Sequence, residues 1–277
     1  MPPEAAPSSG PPRTERAPHV VAARKLLRRA GRDRAGRFLV EGAQAVREAL
    51  RHGGVRELLV TDAAAQRHPE LLLTDVPLTR VTERAAASLS DTVTPQGILA
   101  VCDLLDVPLE RALTGQPRLV AVCVAIADPG NAGTVIRVAD AAGADAVVLA
   151  GDTVDPHNGK AVRASTGSVF HLPIARERDA LAAVDACRAA GLTLLVADGH
   201  GELDLHDPAA AAVLAEPVAW IFGGEAHGIP AAVAERADHR VRVPIHGRAE
   251  SLNLATAAAV CLYASVGAAA LRSDNHE

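Results

Sequence analysis

Short apolar runs alternate along this chain with segments whose apolar residues recur every three or four positions. "AARKLLRRAGRDRAG" predicts a basic helix stopped by Gly31 and Gly36. "RFLVEG" predicts a strand, "AQAVREALRHGG" a helix, "VRELLVT" a strand, "AAAQRHPELLL" a helix, "VPLTRVT" a strand, "ERAAASLSD" a helix and "GILAVCDL" a strand. This alternation predicts a small α/β unit over residues 18–105, and "DVPLERALTGQPR", with its prolines and glycine, predicts a linker over 106–117.

Beyond the linker the pattern repeats on a larger scale. It predicts strand "RLVAVCVAIA", helix "AGTVIRVADAAG", strand "ADAVVLAG", a polar loop, strand "SVFHLPIA", helix "RDALAAVDACRAAG", strands "LTLLVAD", "VAWIFG" and "HRVRVPI", and a closing helix. Several strands are almost wholly apolar, as expected when helices cover both faces of a mostly parallel sheet. Such sheets bind ligands beyond the carboxyl ends of their strands, so the loops there are the candidates for chemistry. The closing stretch, Leu252 to Leu271, has no charge and is long enough to span a membrane. It is mostly alanine, interrupted by Asn253, Thr256, Tyr263 and Ser265, which predicts a buried helix packed on a sheet and on another helix, from the same or a second subunit.

Composition changes the picture in three places. At 277 residues and 49% apolar content the chain can bury one large or two ordinary cores, while its net charge of −5 gives no overall attraction to nucleic acid. The mean hides a basic stretch: Arg13, Arg16, Arg24, Lys25, Arg28, Arg29, Arg32, Arg34 and Arg37 face only Glu15 and Asp33. That stretch fits a solvated helix face, a disordered arm or a nucleic-acid footprint. Cys102, Cys123, Cys187 and Cys261 form no CxxC pair, which fits free thiols in a reducing cytoplasm, and no metal-ligand set is read. Residues 1–17, rich in Pro, Ala and Ser without an apolar core, read as a disordered tail rather than a signal peptide.

Three strand-end loops carry candidate chemistry. In "ADPGNAGTVIRVAD" a Pro–Gly–Asn turn leads into a helix start whose N–H groups suit a polar ligand. Gly133, Arg137 and Asp140 are expected on its outward side, with Val135, Val138 and Ala142 inward, and an Arg137–Asp140 surface pair is the plain alternative. In "FGGEAHGIP" Gly223 and Gly224 flank Glu225 and permit close backbone approach, or mark a mere turn. In "HGRAESLN", which enters the closing helix, Ser251 fits an N-cap, whereas Asn253, one turn inside, needs a partner. No G-x-G-x-x-G is present, which disfavours the usual dinucleotide fold.

Together "NAGTVIR", "FGGEAHGI" and "VPIHGRAESLNLATAAAVCLY" resemble the three signature motifs of the SpoU/TrmH family, RNA ribose 2′-O-methyltransferases of the SPOUT class. "VRASTGSVFHLPI" is similar to the family's stretch between motifs, and "RFLVEGAQAVREAL" to the substrate-binding domain of its longer members. The resemblance implies a trefoil-knotted, mostly parallel α/β methyltransferase domain over 118–272, preceded by a small α/β RNA-binding domain, in an obligate homodimer that uses S-adenosylmethionine at a site near the interface. It implies that Gly223, Gly224, Glu225, Ile245, Gly247, Ser251, Leu252, Asn253 and Leu254 form the cofactor site, largely through backbone groups. Arg137 is the implied catalytic residue, with Asn131, Glu225, Ser251 and Asn253 around it; Arg24, Lys25, Arg28, Arg29, Arg137 and Arg163 are the implied RNA contacts. Gly224 and Ala226 stand where the family often has Asn and Gly, a change expected to matter little at a backbone contact.

A guanidinium stays protonated, so Arg137 either becomes an unusual base or grips the phosphate beside the ribose while another acceptor takes the proton; positioning is the favoured role. An aromatic content of 2% argues for arginine–phosphate contacts over base stacking. Ribosomal RNA is the favoured substrate, with 23S rRNA foremost. The alternatives are a transfer RNA or antibiotic-resistance methyltransferase, a catalytically silent RNA-binding assembly factor, and an unrelated nucleotide-binding α/β enzyme.

Overall fold

The structure, a computed structural model, describes residues 10–224 and 228–274. They form two compact units, the first holding the described residues up to Leu105 together with Asp155–Phe170, the second Asp106–Val154 and the described residues from His171 onward.

The first unit opens with α1 (Pro18–Lys25) and α2 (Arg29–Ala35), so the basic helix predicted as one element is two. Gly31 is not a stop: it lies inside α2, where a Cβ would overlap the Lys25 carbonyl, and its absence lets the end of α1 pack close. Gly36 does end α2, in the left-handed conformation at φ 63°. Next come β1 (Arg37–Glu41), α3 (Ala43–His52), β2 (Val55–Val60), α4 (Asp62–Arg67), β3 (Leu78–Arg80), α5 (Glu83–Ala87) and β4 (Ile98–Asp103). The hydroxyls of Thr61 and Thr82 cap α4 and α5 by accepting from the N–H groups of Ala64 and Ala85, both at 3.2 Å. The sheet runs β1-β4-β2-β3; β4 is antiparallel to both neighbours, and β2 and β3 are parallel. Val20, Leu26, Leu59, Leu89 and Leu99 fill one face of its core. Arg13, expected in a disordered tail, bridges Val81 and donates its N–H to the Arg80 carbonyl at 2.8 Å.

The expected linker is part of the second unit's core. It holds α6 (Leu109–Ala112), and Leu109, Ala112 and Leu113, spaced as one helix face, are buried with Val122 and Val148. There follow β5 (Leu119–Val124), α7 (Pro129–Ala141) and β6 (Ala146–Ala150), then α8 (Gly159–Ser165), which belongs to the first unit. The chain continues with β7 (Ile174–Glu177), α9 (Ala180–Ala189), β8 (Thr193–Ala197), β9 (Leu203–Asp204), α10 (Pro208–Leu214), β10 (Val218–Gly223), α11 (Ala231–Ala234), β11 (His239–Arg242) and α12 (Leu254–Asp274). The strand expected over "SVFHLPIA" begins only at Ile174, because Ser168–Phe170 forms a 3-10 turn in the first unit, where Phe170 stacks on Phe38 at 6.2 Å.

The second sheet has seven strands in the order β7-β6-β5-β10-β8-β11-β9, and every pairing is parallel. The central strands β5, β6 and β10 are the ones whose sequences lack polar alternation, as covering both faces requires. Among the described residues α12 is the one helix long and apolar enough to cross a membrane. It packs on α7, α10, β5 and β10. Its polar side chains are spent there: Ser265 Oγ accepts from Nε1 of the fully buried Trp220 at 2.9 Å, Tyr263 donates to the Ala141 carbonyl at 3.2 Å, and Arg272 pairs with Glu216.

Candidate functional site

The parallel sheet places the carboxyl ends of β8, β10 and β11 along one edge, where a cavity of about 660 Å³ opens. Phe222 and Gly223 end β10 on one wall; Val243, Pro244 and Ile245 continue β11 on another; Ser251, Leu252, Leu254 and Ala257 close it from the start of α12. That volume lies within the range of small-molecule pockets and suits a nucleoside-sized ligand.

The first loop is tied to the third. Asp128 caps α7, accepting the Asn131 N–H at 2.9 Å, and Pro129 supplies the fixed φ that starts the helix. From the first turn of α7, Asn131 Oδ1 accepts from Asn253 Nδ2 at 3.1 Å. The expected N-cap moves accordingly: Ser251 is exposed and lines the cavity, whereas Asn253 Oδ1 accepts the N–H groups of Ala255 and Thr256 at 3.0 and 3.3 Å and is the cap of α12. One amide thus starts the apolar helix with its oxygen and joins two loops with its nitrogen, which explains a polar residue at that place.

Arg137 is exposed in the third turn of α7, with Val135, Ile136 and Ala139 buried beneath. The expected faces need amending. Gly133 is buried although it stands one turn from Arg137, because a residue without a side chain is covered where a long guanidinium reaches out, and Val138 is only half-buried. Asp140 has His171 as its partner, at 2.8 Å.

The second loop's glycines serve backbone packing. A Cβ on Gly223 would overlap the Gly228 carbonyl, and one on Gly224 the Ala125 oxygen; Gly228 N–H donates to the Gly224 carbonyl at 2.8 Å. Glu225 lies outside the described residues. Of the other cofactor residues expected from the sequence, Gly223, Ile245, Ser251, Leu252 and Leu254 line the cavity, while Gly224, Gly247 and Asn253 lie outside its lining.

A fourth loop, beyond the three expected, also reaches the cavity. Ala197, Asp198 and Gly199 follow β8 and line the cavity with Asp204, Arg242 and Glu250. The signal was present, since "ADGHG" is another glycine-bearing strand end. Burial opposes ionisation of Asp198, but the His200 N–H at 2.9 Å and the Arg240 guanidinium hold its carboxyl below the usual range. The His206 N–H and Arg242 do the same for Asp204. Both remain anionic at neutral pH but each is paired with an arginine, so apolar walls meet ion-paired carboxylates, an arrangement suited to a ligand with a flat apolar part and hydroxyl groups.

The expected RNA contacts divide. Lys25, Arg28 and Arg29 are exposed at the junction of α1 and α2, whereas Arg24 is half-buried and donates to the Glu15 carbonyl at 2.9 Å and Ser88 Oγ at 2.7 Å. Arg163, on α8, pairs with Glu41 at 3.5 Å.

Residues 118–263 match the SpoU rRNA Methylase family, and residues 17–100 match the MRM3-like substrate binding domain. The chain is 40% identical to the 23S rRNA (guanosine(2553)-2′-O)-methyltransferase RlmP of Bacillus subtilis, over 87% of this chain and 92% of that one. It is 33% identical to the 23S rRNA (uridine(2479)-2′-O)-methyltransferase of Streptomyces viridochromogenes, over 85% and 84%. Among solved structures, the SpoU methyltransferase AviRb of S. viridochromogenes in complex with AdoMet superposes with a TM-score of 0.79 at 32% identity, covering 93% of this chain and all 100% of that one. An AdoMet-bound rRNA methyltransferase from Sinorhizobium meliloti gives 0.78 at 30% identity, over 90% and 94%.

Proposed function

This chain belongs to the SpoU rRNA methylase family, and from that premise we propose that it methylates a ribose 2′-hydroxyl of ribosomal RNA, in the 23S molecule, with S-adenosylmethionine as donor. The observation that carries the reading is the Asn253–Asn131 hydrogen bond, which sets the helix bearing Arg137 beside the loop that closes the cavity. S-adenosylmethionine, when bound, supplies an electrophilic methyl group on a cationic sulfur. The residues present fit it: Phe222, Val243, Leu252 and Leu254 offer an apolar slot for a purine, Gly223 and Ile245 offer backbone groups, and Asp198, Asp204 and Glu250 offer carboxylates to hydroxyls.

Arg137 acts by position. Its guanidinium holds the phosphate next to the reacting ribose and thereby aligns the 2′-hydroxyl, and the proton leaves to an acceptor other than arginine. Asn131 and Asn253 keep α7 and the cavity loop in register, Ser251 orders that loop, and Glu225 is assigned to hold Arg137. Within the first unit, Lys25, Arg28 and Arg29 are assigned as RNA contacts.

The same reading includes a trefoil knot at the C-terminal end and a homodimer. The exposed Tyr263, Val266 and Leu271 on α12 support a helix with a second partner. The polar ties of that helix to Trp220, Ala141 and Glu216 support a packed element over a membrane span. Four free, buried cysteines support a cytoplasmic location. The deciding experiment maps 2′-O-methyl positions in cellular RNA with and without the gene, alongside transfer of labelled methyl to a 23S rRNA transcript. One ribose position lost on deletion and restored by the purified protein is expected; no methyl transfer to any RNA overturns the reading.

A further inference from the structure

Three sequence stretches that lie far apart meet inside the first unit. Glu41 ends β1 within "RFLVEG", Ser90 and Thr92 lie in the loop "SDTVTPQG" after α5, and Arg163 stands on α8 within "VRASTGSVF". The Glu41 side chain is 8% exposed. Its Oε1 accepts the hydroxyl of Ser90 at 2.6 Å and that of Thr92 at 3.1 Å, and Ser90 Oγ in turn accepts the Thr92 N–H at 3.0 Å. Its Oε2 faces Arg163 Nη1 at 3.5 Å.

This arrangement is a poor device for stability. A carboxylate so far out of water loses much hydration, and a single-contact pair with a part-exposed arginine returns little of it. It is a good device for direction. Two hydroxyls fix the carboxylate, and the carboxylate draws one nitrogen, Nη1, of a planar guanidinium whose side chain remains 30% exposed. Gly159, one turn before Arg163, keeps that placement open: a Cβ there would lie 3.3 Å from Arg163 Nη1. Leu27 and Arg163 line one small cleft, which puts Arg163 beside the α1–α2 junction with its exposed Lys25, Arg28 and Arg29, and Lys160 is exposed on α8 itself. Asp91, between Ser90 and Thr92, lines the same cleft and adds a second carboxylate beside Arg163, while the exposed cations lie around it.

We propose that Glu41, with Ser90 and Thr92, is a positioning residue that aims Arg163 at an RNA phosphate, so that α8 and the α1–α2 junction form one phosphate-gripping surface. A guanidinium drawn at one nitrogen still presents other N–H groups in a rigid fork, the geometry that takes two phosphate oxygens at once. The inference rests on the reading that the substrate is RNA. It adds a residue that acts through another, and a reason for the convergence of the three stretches.

The test uses the full-length protein, a 23S rRNA transcript and poly(U), with binding measured across a salt series beside methyl-transfer kinetics and thermal melting. Arg163→Ala is expected to weaken binding to both RNAs about tenfold and to flatten the log affinity–log salt slope by roughly one phosphate contact. The KM for RNA should rise with kcat within about twofold, and S-adenosylmethionine binding should not change. Arg163→Lys should restore the slope but not the KM, because charge returns without the fork. Glu41→Gln keeps the Arg163 charge, so its slope stays while the KM rises about threefold; Ser90→Ala, a milder change, shows the same in smaller measure even where Glu41→Gln misfolds. A wild-type slope and KM in Arg163→Ala overturns the phosphate contact, and wild-type kinetics in a folded Glu41→Gln or Ser90→Ala overturns the positioning. If the wild-type protein binds RNA but transfers no methyl, the proposed function falls and the slopes still decide this inference.

Discussion

Two polar clusters in this chain show opposite uses of buried and open chemistry. In the first unit Arg32, Asp155 and His157 are 3%, 3% and 1% exposed. Arg32 donates to Asp155 at 2.7 Å and to the Leu26 and Leu27 carbonyls at 2.9 and 3.2 Å, which caps α1. His157 Nε2 accepts the Leu105 N–H at 3.0 Å, so the proton sits on Nδ1, toward Asp155 at 3.2 Å, and the ring packs on Phe38 at 4.7 Å. In the second unit Asn131 and Asn253 meet at the surface beside an open cavity. A sealed cluster can only hold the chain together; a cluster at a cavity mouth can also meet a ligand. Burial thus separates Arg32 from Arg137, which sequence alone could not do.

The comparison can be broken in four ways. The largest effect belongs to the sealed cluster: Arg32→Ala strands a buried carboxylate and should cost about 3–5 kcal/mol of stability, read by denaturant unfolding, with methyl transfer retained in the folded fraction. Arg137→Ala should do the reverse, lowering methyl transfer about a hundredfold while thermal stability and S-adenosylmethionine affinity by calorimetry stay near wild type. Asn253→Ala should show both in part, losing about 1 kcal/mol as a cap and about tenfold in rate, whereas Asn253→Asp keeps the cap and loses only the rate. An Asn253→Asp enzyme with full activity removes the link to Asn131 from the mechanism.

The smallest effect is a dependence on pH. Burial alone would raise the Asp155 carboxyl, but the His157 side chain and N–H together with the Arg32 charge outweigh it and hold the group far below its ordinary range. A depressed folded value means that the stabilisation is complete above the unfolded value of about 3.9 and is lost as pH falls below it toward the folded value. Unfolding free energies measured between neutral pH and pH of about 3 should therefore fall more steeply in the wild type than in Asp155→Asn.

Much of this was legible in the sequence, for identifiable reasons. Most strands of the parallel sheet announced themselves through apolar runs, though the two-residue β9 did not, and glycine marked two loops that line the cavity and the one tied to them through Asn131. What escaped depended on contacts that no local pattern records. Ser251 and Asn253 are both good caps, and the chain uses the one that also reaches Asn131, 122 residues away. Prolines disguised Leu109, Ala112 and Leu113 as linker, although their spacing is that of a buried helix face. "VRASTGSVF" reads as part of the second half, yet it folds into the first unit through Phe170 on Phe38 and Arg163 on Glu41. Arg24 and Arg32 looked like members of a basic surface and are instead spent on Ser88 and Asp155.

The chain has one tryptophan and one tyrosine, Trp220 and Tyr263, and both belong to the second unit. Trp220 stacks on Phe222, itself a wall of the cavity, and its indole N–H is bound to Ser265. Nature has therefore placed the only strong fluorophore two residues from the ligand wall. Its emission should follow melting of the catalytic half alone, while far-ultraviolet dichroism follows both halves, so the order in which they unfold can be watched without a label.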